Sequence, residues 1–182
     1  MEKINWKSLA EQVGAISQSQ NRSTNVDNWS EIGSSDLARV AIEILIGENN
    51  LRDAVDYYIS GQPGCELVRH ILWQLHSRTA MEYCYEIYRP TNIDLDSRRM
   101  AIELLSVVGD RRALIWIDEF LEDKDEYFHN YGIDFLARLL CSELSYPENA
   151  RNLLAKSMNH SNSYVREKAN DLVIMIEADE EE

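Results

Sequence analysis

Apolar residues recur every three or four positions along almost the whole of this chain, and very little interrupts them. Seven glycines and three prolines in 182 residues leave few places for the backbone to break. Runs of Val, Ile and Thr are also scarce, so the pattern predicts an all-α fold. Trp6, Leu9, Val13 and Ile16 mark a first amphipathic helix, followed by a loop over 18–34 rich in Ser, Asn and Gln. Ser35 stands as an N-cap before Leu37, Val40, Ala41, Ile44 and Leu45. Leu51, Ala54, Val55 and Tyr58 mark the next helix, ended by Gly61-Gln62-Pro63-Gly64. Further helices are predicted over 66–76, 78–89, 97–108, 111–122, 126–143, 148–158 and 164–177. Asp96 or Ser97, Asp110 and Asp125 occupy N-cap positions, and Pro147 sits at a helix start. Connections this short make neighbouring helices antiparallel.

A repeat runs beneath the helices. Arg69-x-x-Leu72-x-x-Leu75, Arg98-x-x-Ala101-x-x-Leu104 and Arg166-x-x-Ala169-x-x-Leu172 share one pattern. His129-x-x-Gly132-x-x-Phe135 and Ala38-x-x-Ala41-x-x-Ile44 follow it less closely. Their first positions fall 31, 29, 31 and 37 residues apart, the spacing of stacked helical hairpins that bury their faces only against neighbours. The stretch His160-Ser161-Asn162-Ser163-Tyr164-Val165-Arg166-Glu167-Lys168-Ala169-Asn170-Asp171-Leu172 resembles the turn and second helix of a HEAT-like repeat. Val68-Arg69 repeats its Val-Arg pair, although Leu172 falls one place early and the first and fourth repeats lack the Arg. The resemblance covers most of residues 35–177. It implies an α-α superhelix of about five hairpins, forming a single domain over 1–176 with an acidic tail at 177–182. It also implies a concave face lined by the second helices, at about 36–46, 66–76, 97–108, 126–143 and 164–177.

Catalytic and metal-binding patterns are missing from the sequence. His70, His76, His129 and His160 include no i, i+4 pair, and Cys65, Cys84 and Cys141 have no zinc-site spacing. No nucleophile elbow, phosphate-cradling loop or dinucleotide fingerprint occurs. The expectation is therefore a protein that is not an enzyme and carries no cofactor or metal. The three isolated cysteines read as buried free thiols of a cytoplasmic protein. The start of the chain has no secretory pattern, and no apolar run reaches membrane-spanning length.

Charge says what such a scaffold would meet. The net charge is −14, and five of the 32 acids lie in residues 177–182, leaving a body of −9. Such a surface disfavours nucleic acid and anionic membranes, and favours a basic protein partner. The densest stretch, 103–134, holds nine acids against three bases. Acids at a helix start suit its dipole and aid solubility, yet tyrosines beside carboxylates also make good anchors for a basic partner. The expected partner-binding residues are Arg99, Glu103, Glu119, Glu122, Asp123, Asp125, Glu126, Tyr127, Tyr131 and Asp134. A second aromatic group, Tyr83, Tyr85 and Tyr88 with Trp73, reads as core, although helix spacing requires some of these tyrosines to face out.

In size, helical content and acidity the chain is similar to the HEAT-like immunity proteins of bacterial contact-dependent growth inhibition and polymorphic toxin systems. That resemblance implies a stoichiometric inhibitor covering the active site or substrate groove of a basic toxin, such as a nuclease. A HEAT-like adaptor is the alternative. HEAT-like scaffolds also include alkyl-base DNA glycosylases, which need a basic concave face, and bilin lyases, for which no marking residue set is present.

Overall fold

Several helix boundaries follow from a local hydrogen bond or from a break in the chain. The computed structural model describes residues 34–142 and 148–180, and all its regular structure there is helical. The helix expected over 6–16, most of the 18–34 loop and the Pro147 start lie outside the described residues. The chain divides into two compact units between Tyr83 and Cys84.

In the first unit, α1 (Ser34–Ile46), α2 (Glu48–Ile59) and α3 (Cys65–Leu75) all pack on one another. A single residue, Gly47, joins α1 to α2; its φ of +82° lies in the left-handed region, where a side chain is strained. Val40, Leu51, Val55, Tyr58, Leu72 and Leu75 form the core. Ile42 and Leu45 of α1 and Leu67, Ile71 and Trp73 of α3 are exposed, Leu67 by 70%. Trp73 is thus not the core residue expected of it. α4 (Arg78–Tyr88) begins in this unit and runs across the division. The fully buried Ser77 stands before its first turn and accepts the Ala80 N–H on Oγ at 3.2 Å. Ser77→Ala is expected to lower stability by about 1 kcal/mol, read as a shift in denaturation midpoint at constant slope.

The second unit contains α5 (Leu95–Val108), a 3₁₀ turn (Arg111–Ala113), α6 (Leu114–Leu121), α7 (Glu126–Ser142), α8 (Glu148–Ser157) and α9 (Ser163–Glu180). Alternate helices touch: α5 meets α7, α7 meets α9 and α6 meets α8. That pattern makes two layers, one of α5, α7 and α9, the other of α6 and α8. Leu104, Leu105, Ile117, Phe120, Ile133, Leu136 and Val165 fill the space between them. Polar ties repeat the stacking: Arg138 donates to the Ser106 carbonyl at 2.8 Å and Asn162 to Asn130 at 3.1 Å.

Two cap predictions hold: Asp110 accepts the Arg112 N–H at 2.9 Å and Asp125 the Tyr127 N–H at 3.1 Å. The cap of α5 is Asp94 rather than Asp96 or Ser97; its carboxylate accepts the Ser97 N–H at 2.8 Å. That bond holds the Asp94 carboxyl below its ordinary range. The acidic stretch after residue 176 is helical through Glu180. Cys84 is buried, but Cys65 is half-buried and Cys141 exposed, because α7 turns its last buried pair, Leu139 and Leu140, inward just before Cys141.

Candidate functional site

Asp94 starts α5 so that Arg98 and Arg99 fall one turn inside it, on successive positions about 100° apart. Their guanidinium groups therefore reach two different carboxylates on the turn between α6 and α7. Arg98 pairs with Asp123 at 3.3 Å and also donates to the Tyr88 carbonyl at 2.6 Å. Arg99 pairs with Asp125, its Nη2 and Nε lying 2.6 and 3.0 Å from Oδ2. Burial alone would raise the Asp125 carboxyl, but the Tyr127 N–H and Arg99 hold it below its ordinary range.

The turn is pinned from beneath as well. Asp123 Oδ1 accepts the Asp125 N–H at 3.0 Å. His129 contacts the Asp123 carbonyl at 2.5 Å, and His160 the Leu121 carbonyl at 2.7 Å. His160 Nδ1 accepts the Asn162 N–H, so its proton sits on Nε2 facing Leu121. The two imidazoles meet edge to face with centroids 4.8 Å apart.

Above the turn stands an aromatic wall. Tyr85 stacks on Trp116 with centroids 4.5 Å apart, and Tyr88 meets Phe120 and Phe128 edge to face. Tyr88 donates its hydroxyl to Asp123 at 2.9 Å, and Tyr85 donates to Glu119. Burial, reinforced by Glu119, pushes the Tyr85 hydroxyl up to about 12, and burial with Asp123 pushes Tyr88 higher still. Both phenols stay neutral donors. Arg98 lies over the rings of Tyr88 and Phe128, at 5.2 and 4.9 Å.

Wall and turn enclose an open cleft of about 820 Å³. Tyr88, Thr91, Leu95 and Arg98 line it together with the run of Glu119, Glu122, Asp123, Lys124, Asp125 and Glu126. Five of the ten residues expected at an interface thus converge here. Arg99, Glu103, Tyr127 and Tyr131 form an adjoining cluster: Tyr127 packs tilted against Tyr131 with centroids 4.6 Å apart, lies under Arg99 at 5.0 Å and donates to Glu103 at 3.4 Å. Burial first, then Tyr131 and Glu103, raises the Tyr127 hydroxyl above its ordinary value. Asp134 stands apart, taking the Tyr164 hydroxyl at 2.9 Å and Lys168 at 3.7 Å.

Not every carboxylate in the cleft faces solvent on equal terms. Asp123 and Asp125 are half-buried and engaged by arginines, so they hold the frame. Glu119, Glu122 and Glu126 are exposed. Lys156 reaches from α8 to Asp118 at 2.6 Å and to Glu122, but these side chains are 44–64% exposed, and such a pair adds little stability. Tyr85, Tyr88, Arg98 and Trp116 belong to the site and were not expected there; the tyrosine spacing on α4 favoured core and required some tyrosine to face out without saying which.

No group of three or more His, Cys, Asp or Glu among the described residues is arranged to hold a metal ion. No described helix is long and apolar enough to cross a membrane. No protein-family model, curated protein or solved structure matches the chain. The cleft itself is the ground for a functional reading.

Proposed function

We propose that this chain is a cytoplasmic binding protein that neutralises a basic protein, as an immunity protein neutralises its toxin. In this reading the cleft and its acidic rim cover the active site or substrate groove of the partner, a nuclease domain being the simplest case. The observation that carries it is the set of exposed carboxylates, Glu119, Glu122 and Glu126, on and beside a turn held by Arg98, Arg99, His129 and His160. A groove that grips phosphates is cationic, and opposite fields speed the encounter that an inhibitor needs. A turn already fixed from beneath loses little freedom on binding. The two-layer stacking of alternate helices supports placing the fold among HEAT-like superhelices.

An adaptor is the second reading. It is favoured by the exposed apolar side chains of α1 and α3, Leu67 and Ile71 foremost, since contiguous exposed apolar surface often marks a contact site.

Co-expression with the product of the adjacent gene tests the first reading. Loss of that product's toxicity and recovery of a stable complex are the expected results. Glu119→Lys, Glu122→Lys and Glu126→Lys together should weaken the complex by about 100-fold or more in titration calorimetry, with helicity unchanged. Affinity should also fall as salt rises. A complex indifferent to the triple reversal would place the interface elsewhere.

A further inference from the structure

Within the second unit the chain displays its own way of seating a guanidinium group. Arg98 lies over the Tyr88 ring, pairs with Asp123 and meets that same tyrosine's hydroxyl partner, so ring, phenol and carboxylate act on one cation. Of the other carboxylates around the cleft, Asp125 is engaged by Arg99, and Asp118 and Glu122 by Lys156, while Glu126 has neither an ion pair nor an aromatic partner among the described residues. Glu119 differs from both groups. It takes the Tyr85 hydroxyl and, among the described residues, no basic side chain.

The Tyr85–Glu119 hydrogen bond joins the linings of two hollows. Glu119 lines the acidic cleft, while Tyr85, Glu86, Arg89 and Pro90 line a second hollow of about 400 Å³. Trp116 stacks on the Tyr85 ring with only 13° between planes, and beside it Ile115 is 73% exposed. Arg89 lies over Tyr85 at 5.6 Å without an ion pair to Glu119, which marks this ring as one that accepts a guanidinium neighbour.

Resting on the proposed binding role, we infer that Glu119, Tyr85 and Trp116 form the anchor for an arginine side chain of the basic partner. The incoming guanidinium pairs with Glu119 from the cleft and lies along the Tyr85–Trp116 stack. The site selects arginine over lysine, because a planar fork satisfies a carboxylate and stacks on aromatic rings together, whereas an ammonium is a point charge.

The test uses the full chain titrated with hexa-arginine and hexalysine peptides at moderate salt, followed by calorimetry and by the indole N–H resonances of ¹⁵N-labelled protein. The expected result is binding about tenfold tighter for the arginine peptide, with the Trp116 resonance shifting most. Glu119→Gln keeps an acceptor for Tyr85 and should erase that preference, while Glu167→Gln, at an exposed position of α9 outside the cleft, should leave it intact. Equal affinity for both peptides, or a preference surviving Glu119→Gln, overturns the anchor while leaving an acidic interface in place. Failure of both peptides to bind overturns the anchor and, with a negative co-expression result, the binding role too.

Discussion

Asp123→Ala should cost about 2–4 kcal/mol of stability, far more than removal of any exposed acid around it. The reason is what the carboxylate leaves behind. Arg98 is only 14% exposed and would keep the Tyr88 carbonyl but lose its counter-charge. The Tyr88 hydroxyl would lose its 2.9 Å acceptor, and the Asp125 N–H would lose the bond that shapes the turn. An uncompensated, largely buried cation is the costly product, more than the missing ion pair itself. Glu126→Ala, at an exposed position with no ion pair among the described residues, should stay within about 0.5 kcal/mol. Parallel denaturant titrations check the pair through the midpoints at constant slope. Equal costs for the two variants would show that Asp123 is not part of the frame. Asp123 is accordingly a poor choice for probing binding, because its loss weakens the platform that presents Glu119 and Glu122.

The second large effect is steric. A β-carbon at Gly109 would lie 2.2 Å from the Phe135 ring tip and 2.6 Å from the Leu105 carbonyl oxygen. Phe135 is 1% exposed and the carbonyl belongs to the last turn of α5, so neither yields freely. Gly109→Ala should therefore destabilise by about 1–3 kcal/mol through overpacking. Gly132 offers the contrast. There a β-carbon would meet Phe120 Cβ at 3.2 Å, a tight contact but one offset by alanine's better helix propensity, worth up to about 1 kcal/mol. Thermal unfolding of the two variants should separate them, with Gly109→Ala melting well below the parent and Gly132→Ala close to it. Similar melting points would contradict the packing described between α5 and α7.

Helix positions were legible in the sequence because breakers and caps are local signals. The expected 126–143 and 148–158 became Glu126–Ser142 and Glu148–Ser157. Ambiguity entered where several caps compete: Asp94, Asp96 and Ser97 all suit the role, and only the backbone entering α5 selects Asp94. The acidic run around the α6–α7 turn was also legible, and its carboxylates do line one cleft. Which of them hold the frame was not. Arg98 and Arg99 lie 25 and 26 residues before their partners, so the pairing exists only once α5 and α7 stack. The Tyr85–Trp116 stack is hidden for the same reason, its members being 31 positions apart in the chain.

That stacking bears on how the chain reaches this state. Apart from the Arg98–Tyr88 contact, ten positions apart, the polar ties between helices of the second unit described above join residues 24 to 39 positions apart, about one hairpin. Closing loops of that size carries a small and nearly constant entropic penalty. Order can therefore nucleate at α5–α7 or at α7–α9 and spread outward helix by helix, without waiting for distant ends to meet. The acidic turn lies inside the first of those nuclei, so the acidic ledge is among the earliest parts of the unit able to take shape.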